Sequence, residues 1–228
     1  MRVAALTSGG KDSIYAAYLV SLKHELCAFL TALPTSEEAR LFHFPNAKLV
    51  KLQARACGLE FLSLRTEVGE KAERETLLML LRQAKERFGI NAIVAGVIKS
   101  SYQYKAIREA CELLDLKLLV PLWKKDEKAV LTSMLRDGVK AMITSVAAAG
   151  FDRTWLGREL DFSCLRELIR LRVRYKINLS GEGGEYETFV LDCPLFKKAI
   201  KPVKTRISWD ERTESGYLLI EKAILVEK

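Results

Sequence analysis

The sequence predicts an α/β protein that begins with a doubly wound parallel sheet and ends with a smaller α+β domain. Over residues 1–120, short apolar runs alternate with segments of helical periodicity, which is typical of βα units on a parallel sheet. A glycine-rich turn follows the first apolar run directly, at a place where such sheets bind ligands. After Trp123 the pattern changes, and the last strands follow one another without helices between them.

Five apolar runs in the first part predict strands, at residues 3–6, 26–33, 61–64, 91–95 and 116–120. Apolar residues at helical spacing predict helices between these strands, at residues 13–22, around residues 49–56 and around residues 77–88. We expect the five strands to form one open parallel sheet that is covered by helices.

The second part predicts two helices, at residues 127–136 and 164–175. Its predicted strands lie at residues 141–146, 189–191, 204–209 and 217–226. We place the boundary near Trp123, which gives domains of residues 1–123 and 124–228. A single continuous fold is the alternative.

The helix predicted at residues 164–175 and the residue after it carry a stretch of basic side chains: Arg166, Arg170, Arg172, Arg174 and Lys176. We interpret this stretch as a solvated helix face, and a docking patch for RNA or protein is the alternative. The whole chain has a formal net charge of +8, which favours polyanionic partners such as nucleotides or RNA. Solubility alone is the competing explanation of that excess.

The composition is that of a folded globular protein, with 49% hydrophobic and 29% charged residues in a chain of 228. A chain of this length buries enough surface to fold without a disulfide or a metal. No apolar stretch approaches the roughly 18 residues of a membrane span. The apolar run before the first Gly-Gly turn is only four residues long, at residues 3–6, which is too short for a signal peptide. We therefore expect a cytoplasmic protein without a membrane partner.

The cysteines and histidines exclude several kinds of metal and redox site. The five cysteines are odd in number and widely spaced, which excludes CxxC spacing: Cys27, Cys57, Cys111, Cys164 and Cys193. Only two histidines occur, so a histidine-rich metal site is excluded as well.

The most informative segment is Ser-Gly-Gly-Lys-Asp-Ser at residues 8–13, between the first strand and the first helix. Glycines let the backbone approach a ligand, and a helix N-terminus offers N–H groups to an anion. Lys11 adds positive charge, while Ser8 and Ser13 add hydroxyl donors. Asp12 excludes a Walker A motif, and beside phosphates an acid is best explained as a Mg²⁺ ligand. A simple helix cap is the alternative.

This segment resembles the pyrophosphate loop (PP-loop) of N-type ATP pyrophosphatases, which belong to the adenine nucleotide alpha hydrolase-like folds. Those enzymes cleave ATP to AMP and pyrophosphate while adenylating a carbonyl oxygen. The resemblance implies that residues 1–123 form the ATP-binding domain and that Lys11 and Asp12 are catalytic. It implies ATP contacts from Thr7, Ser8, Gly9, Gly10, Lys11, Asp12 and Ser13.

A second unusual segment, at residues 181–188, places three glutamates and a tyrosine among three glycines. It contains no basic residue, although the protein as a whole is basic. The three glutamates repel one another unless a cation offsets their charge, so the segment predicts a cation-binding loop. A solvated acidic hairpin loop is the alternative.

With the following residues 189–196, this segment resembles the signature of the diphthine–ammonia ligase family. Further similar segments are residues 42–46, 96–103, 121–123 and 147–150, so the resemblance spans nearly the whole chain. One departure is Ile-Arg-Glu at residues 107–109, where a Val-Glu pairing is expected. The resemblance implies a ligase that adenylates diphthine on translation elongation factor 2 and amidates it with ammonia to give diphthamide.

Diphthine is a modified histidine with a trimethylammonium group beside the carboxylate that is adenylated. The resemblance therefore implies that residues 124–228 form the substrate-binding domain, where charge and an aromatic face hold the quaternary cation. The expected substrate contacts are His43, Glu182, Gly183, Gly184, Glu185, Tyr186 and Glu187, of which Glu185 and Glu187 are also catalytic candidates. Mg²⁺ binding by these glutamates is the rival role.

Gly96 and Gln103 follow a strand at the ligand-binding edge of the predicted sheet, so we expect them to contact adenine or ribose. No cysteine lies in a nucleophile setting, so we expect free ammonia as the nitrogen source. Two other functions stay open: a tRNA-modifying PP-loop enzyme and a nucleotide-binding module without catalysis. We expect no nucleic-acid partner, and a homodimer stays open.

Overall fold

The structure is a computed structural model of the chain, and it describes residues 1–34 and 46–228. The chain divides into two compact units, Met1–Trp123 and Lys124–Lys228. In the described part of the chain, no helix is both long and apolar enough to cross a lipid bilayer.

The first unit alternates strands with helices. Its elements are β1 (Arg2–Leu6), α1 (Lys11–Ser21), β2 (Glu25–Pro34), a 3₁₀ turn (Asn46–Leu49), α2 (Val50–Cys57), β3 (Glu60–Thr66), α3 (Glu70–Phe88), β4 (Ala92–Ala95), α4 (Ser101–Leu113) and β5 (Lys117–Leu119).

The five strands form one sheet in the order β3-β2-β1-β4-β5, and every neighbouring pair is parallel. This confirms the predicted doubly wound α/β fold. Strand β1 lies at the centre, and its Val3, Ala4 and Ala5 are completely buried. The strand order reverses between β1 and β4, so the loops after these two strands flank the crevice where such sheets bind ligands.

One side of this sheet is covered by α3 and α4. Leu77, Leu81 and Ala84 of α3 belong to the same buried cluster as Leu30 and Ile93 of the sheet. The sequence reading did not assign α4, although it buries Ala106, Ile107, Ala110 and Cys111 at helical spacing. Ser100 caps this helix by accepting a hydrogen bond from the backbone N–H of Gln103.

The second unit contains two helices and a four-stranded sheet. Its elements are α5 (Glu127–Arg136), β6 (Lys140–Val146), a 3₁₀ turn (Arg153–Trp155), α6 (Phe162–Tyr175), β7 (Tyr186–Asp192), β8 (Ala199–Asp210) and β9 (Ser215–Val226). The sheet is antiparallel, in the order β7-β6-β9-β8. Strands β8 and β9 form a long hairpin, and β8 is an edge strand that contains Pro202.

Strand β7 begins at Tyr186, three residues before the predicted strand. Tyr186 pairs with Val146 and Glu187 with Ser145 across the antiparallel ladder to β6. The predicted acidic loop therefore ends at Glu185, because the ladder fixes Tyr186 and Glu187 as strand residues.

Candidate functional site

The candidate phosphate loop connects β1 to α1 at the carboxyl edge of the parallel sheet. Gly9 has a φ of +85°, a conformation that strains any residue with a Cβ. Gly10 is the N-cap residue of α1, and Lys11 and Asp12 open the helix. Backbone N–H groups in the first turn of a helix have no acceptor in a preceding turn, so such a helix N-terminus is suited to an anion.

A chain of hydrogen bonds closes this loop on itself. The N–H of Gly9 donates to Thr7 Oγ1 over 2.9 Å, and Ser13 Oγ donates to the carbonyl oxygen of Gly10 over 3.0 Å. The two hydroxyl oxygens lie 2.7 Å apart, and since Ser13 gives its hydrogen to Gly10, Thr7 is the donor to Ser13. In this conformation the bond to Gly10 uses the hydroxyl hydrogen of Ser13, so donation from Ser13 to a phosphate stays a prediction that requires this bond to break.

Two residues from outside the loop support its backbone. Gln53 of α2 is completely buried, and its Nε2 donates to the carbonyl oxygen of Gly9 over 2.9 Å. Gly96, which follows β4, lies against the peptide between Asp12 and Ser13. A Cβ on Gly96 would lie 2.5 Å from the Asp12 carbonyl and the Ser13 nitrogen, so only glycine allows this approach. Both contacts position the phosphate loop.

Lys11 and Asp12 form an ion pair, with 2.7 Å between Lys11 Nζ and Asp12 Oδ2. Lys11 is only 4% exposed. The other carboxylate oxygen of Asp12, Oδ1, is buried and has no hydrogen-bond partner within the described residues. A buried carboxylate oxygen without a donor fits a cation ligand, and Mg²⁺ at nucleotide sites takes one or two carboxylates together with phosphate oxygens.

The remaining predicted nucleotide contacts have less support. Gly96 packs against α1, so its role in the structure is to support the loop. Gln103 lies in the first turn of α4, where its backbone N–H contributes to the Ser100 cap. His43 lies outside the described residues.

In the second unit, the candidate acidic loop is residues 177–185, between α6 and β7. The carboxylate of Glu185 folds back, and its Oε1 accepts a hydrogen bond of 2.7 Å from the N–H of Asn178. The side chain of Asn178 accepts hydrogen bonds from the backbone and the hydroxyl of Ser180. The N–H of Ala147 donates to the carbonyl oxygen of Glu185 over 2.9 Å, which brings the 147–150 segment beside the loop.

Two glycines of this loop lie against neighbouring atoms. A Cβ on Gly183 would lie 2.8 Å from Glu185 Oε1, so the carboxylate occupies the space of a side chain. Gly181 has a φ of +77°, and a Cβ there would lie 2.6 Å from the carbonyl oxygen of Tyr186. Of the predicted substrate residues, Gly183 therefore leaves room for the Glu185 carboxylate, while Gly184 has a φ of +86° and nothing within 4 Å of an added Cβ.

Glu185 differs from the other acids of this loop in one of its carboxylate oxygens. Its Oε2 is buried and finds no hydrogen-bond partner among the described residues, while Oε1 accepts a hydrogen bond from Asn178. Glu182 lies in the loop and Glu187 on β7, and both are partly buried. Over residues 1–34 and 46–228, no group of three acidic, histidine or cysteine side chains is arranged to hold a metal ion.

Tyr186 does not present its ring to a ligand. The side chain is 2% exposed, and its hydroxyl donates to the carbonyl oxygen of Leu179 over 2.8 Å. The ring lies 6.0 Å from that of Phe151. The expectation that Tyr186 supplies an aromatic face for a quaternary cation is therefore wrong, because the ring is buried in the core and its hydroxyl holds the loop backbone at Leu179.

Sequence reasoning missed Gln53, Asn178 and Glu127. Glu127, at the start of α5, is 3% exposed and accepts hydrogen bonds from Arg172 and from the N–H of Leu179, both 3.3 Å long. A signal existed for Gln53, which occupies a core position on α2 with Val50, Ala54 and Cys57 at helical spacing. A polar residue on such a face needs a buried partner.

Two sequence profiles match this chain, one after the other. The sequence profile of the diphthamide synthase N-terminal domain matches residues 1–118, and that of the C-terminal domain matches residues 126–226. Among solved structures, the chain is similar to a predicted subunit of tRNA methyltransferase from Methanocaldococcus jannaschii DSM. That similarity has a TM-score of 0.43 at 15% identity over 85% of this chain and 98% of the other, too low to say anything about activity.

Relatives from three vertebrates are named diphthine–ammonia ligase. The Homo sapiens protein is 36% identical over 221 residues, which span 88% of this chain and 82% of the relative. The Danio rerio protein is 36% identical over 220 residues, 88% of this chain and 86% of the relative. The Mus musculus protein is 35% identical over 251 aligned positions, 100% of this chain and 94% of the relative. The two profiles and these relatives show that the chain belongs to the diphthamide synthase family.

Proposed function

We propose that this chain is a carbon–nitrogen ligase that uses ATP and ammonia to amidate diphthine on translation elongation factor 2, giving diphthamide. The observation that carries the proposal is the phosphate loop, in which Asp12 pairs with Lys11 through one oxygen and its other oxygen is buried with no partner in residues 1–34 and 46–228. A carboxylate beside phosphates needs a cation, so this arrangement supports binding of ATP together with Mg²⁺.

In the first half-reaction, a carboxylate oxygen of diphthine attacks the α-phosphorus of ATP and the bond to the β-phosphate oxygen breaks. The products are an acyl-adenylate and pyrophosphate. The backbone N–H groups at the start of α1 and the ammonium of Lys11 would hold the phosphates in place. Asp12 would hold Mg²⁺, which neutralises negative charge on the phosphates when bound.

In the second half-reaction, ammonia attacks the acyl carbon, the bond to AMP breaks and an amide forms. Ammonium must lose a proton before it can attack, and Glu185 Oε2 is suited to accept it because it is buried without a donor. A quaternary ammonium has no N–H to give, so Glu185 fits ammonium better than the trimethylammonium group. Glu182 and Glu187 would then attract the trimethylammonium group by charge alone.

The experiment that tests this function mixes the protein with ATP, Mg²⁺ and ammonium, with and without elongation factor 2 that carries diphthine. We expect AMP, pyrophosphate and the amidated factor, and we expect Asp12→Ala to lose all three while it unfolds at the same temperature as the wild type. Release of ADP and phosphate instead contradicts the proposal. AMP formation that requires tRNA rather than the factor points to the tRNA-modifying alternative, and binding of ATP without turnover points to a nucleotide-binding module.

The proposed partner works in the cytoplasm, and we place the enzyme there. All five cysteines are free thiols, as is usual in a reducing compartment.

A further inference from the structure

The outward face of α6 combines exposed apolar residues with arginines. Helix α6 buries Cys164, Leu165 and Leu168, and these positions define its core face. The opposite face presents Phe162, Arg166, Arg170, Val173 and Arg174, all of them exposed. Phe162 is 46% exposed and Val173 is 69% exposed, unusual values for large apolar side chains.

The three arginines of this face are not held in close ion pairs with the described residues, although Arg166 and Arg170 help to lower the pKa of Glu167 by their charge. Arg166, Arg170 and Arg174 form no ion pair with any residue that the structure describes. Glu167 is the one acid within α6, and Arg158 already holds it through two hydrogen bonds of 2.6 and 2.7 Å. The three guanidinium groups follow one another at four-residue spacing, so they form a positive stripe about 12 Å long.

Helix stability does not explain this stripe. A cation near the C-terminus of a helix is stabilised by the helix dipole, which accounts for Arg174 but not for Arg166 near the opposite end. Like charges four residues apart destabilise a helix, and the stripe contains two such pairs. A face that disfavours the isolated helix and also exposes apolar groups is typical of a surface that contacts a partner.

We propose that this face of α6 docks an acidic, partly apolar surface of the protein substrate; this inference rests on the proposed function. Arginine and aromatic residues together are enriched at protein interfaces, and the unpaired guanidinium groups select a negatively charged partner. The exposed Phe162 and Val173 favour protein over RNA, whose backbone would be held by charge.

The position of the stripe in the chain supports this role. Helix α6 ends at Tyr175, Lys176 follows in a left-handed conformation, and Asn178 then holds the carboxylate of Glu185. Tyr175 itself lies against Gly150, where a Cβ would come within 2.4 Å of the ring. The proposed docking helix is thus rigidly joined to the acidic loop that would take the modified side chain of the same substrate.

The test compares the wild type with the triple variant R166Q/R170Q/R174Q. We expect the KM for diphthine-bearing elongation factor 2 to rise about tenfold or more at low salt, with kcat and the KM for ATP within about twofold of wild type. The difference should shrink as salt is added, because exposed charges are screened. Replacing the same residues with lysine should restore much of the affinity at low salt. The control variant K71Q/K105Q/K222Q removes three positive charges from other exposed positions and should behave as wild type.

An unchanged KM for the factor in the triple variant overturns the docking inference, and so does an equal rise in the control variant. A short single-stranded RNA that binds the wild type, loses affinity for the triple variant and competes with the factor would show that the stripe binds RNA instead. Direct binding of the factor, measured by fluorescence anisotropy, separates the two proposals. Binding that depends on the stripe without any amidation would uphold the docking surface and overturn the proposed function.

Discussion

The side-chain amide of Gln53 donates a hydrogen bond of 2.9 Å to the carbonyl oxygen of Gly9, and the whole side chain is buried. This bond ties the phosphate loop to α2, 44 positions away in the chain. The carbonyl of Gly9 belongs to the peptide whose N–H lies on Gly10, the cap of α1. Fixing this carbonyl therefore fixes the direction in which the next backbone N–H points.

We predict that Gln53→Leu weakens ATP binding. The substitution keeps the volume but leaves the Gly9 carbonyl without its donor, a change of about 1–3 kcal/mol for a buried group. We expect the KM for ATP to rise about tenfold with a smaller change in kcat, measured by pyrophosphate release. Gln83→Leu, at an exposed position of α3, is the matched control and should leave both constants unchanged. A fall of kcat with no change in the KM for ATP would contradict this role.

We predict that Gly96→Ala distorts the phosphate loop. The new Cβ would lie 2.5 Å from the backbone of Asp12 and Ser13, so α1 must move away from β4. Overpacking of this kind reduces the free energy of unfolding by about 1–3 kcal/mol, and the displaced loop should lose ATP affinity as well. Gly89→Ala is the control, since its φ of +62° is strained for alanine but nothing lies within 4 Å of the added Cβ. That variant should lose stability while its affinity for ATP, measured by calorimetry, stays that of the wild type.

We predict that Glu185→Gln stops amidation and leaves ATP affinity nearly unchanged. A glutamine can still accept the hydrogen bond from Asn178, so the loop keeps its shape, but the buried Oε2 position no longer accepts a proton. Loss of a general base lowers kcat by about 10²–10⁴-fold. We expect Glu187→Gln to reduce amidation also, and the exposed Glu211→Gln to have no effect. If instead ATP·Mg²⁺ affinity falls by more than about tenfold, roughly 1.4 kcal/mol, the acidic loop is a metal site.

We predict that ammonium, and not glutamine, supplies the nitrogen, because burial keeps four of the five thiols protonated. Burial raises the pKa of Cys111 and of Cys164 to about 12 and that of Cys193 to about 11, and burial also raises the pKa of Cys27. These groups stay protonated at neutral pH, and a protonated thiol is a poor nucleophile. Amidation should be supported by ammonium, should fail with glutamine alone, and should survive treatment with iodoacetamide near neutral pH. Equal rates with glutamine would contradict the prediction.

We predict that the ion pair between Arg158 and Glu167 stabilises the second unit only at pH values where the carboxylate of Glu167 is ionised. The hydrogen bonds from Arg158 lower the pKa of Glu167 in the folded protein. The stabilisation is therefore fully present above the unfolded pKa of about 4.3 and is lost as the pH falls through the lower folded pKa. It should amount to about 1 kcal/mol or less, because the two side chains are 28% and 41% exposed. The difference in unfolding free energy between the wild type and Glu167→Gln, measured by urea titration, should thus shrink as the pH falls below the unfolded pKa.

The parallel sheet was predictable because its strands are buried on both faces and appear as short apolar runs bounded by turns. Helix α4 was not predicted, because its first turn overlaps residues 96–103, which were assigned to ligand binding. Its buried residues Ala106, Ile107, Ala110 and Cys111 nevertheless lie at helical spacing. The predicted start of β7 lies too late in the chain, because the first two residues of the strand, Tyr186 and Glu187, continue an acidic segment. Pairing with β6 depends on residues 40 positions earlier in the chain, which local patterns do not reveal.

The features of the candidate site that depend on local sequence were predictable, and those that depend on distant parts of the chain were not. Glycines, a lysine and an acid between a strand and a helix identify the phosphate loop from local sequence alone. The inward hydrogen bonds of Thr7 and Ser13 depend on the exact path of that loop. The support from Gln53 and Gly96 comes from distant elements and requires the assembled sheet. The burial of Tyr186 likewise depends on Phe151 and Leu179.

The edge strand β8 has a consequence for how this protein behaves at high concentration. It is 12 residues long and forms the border of its sheet, where unpaired backbone groups invite a second copy to add a strand. Pro202 removes one donor from this border, and Lys201, Lys204 and Arg206 place exposed positive charge along it. Glu221 pairs with both Lys204 and Arg206 and offsets part of this charge. The border keeps a positive excess, so two such borders repel each other and edge-to-edge polymerisation into fibres is disfavoured.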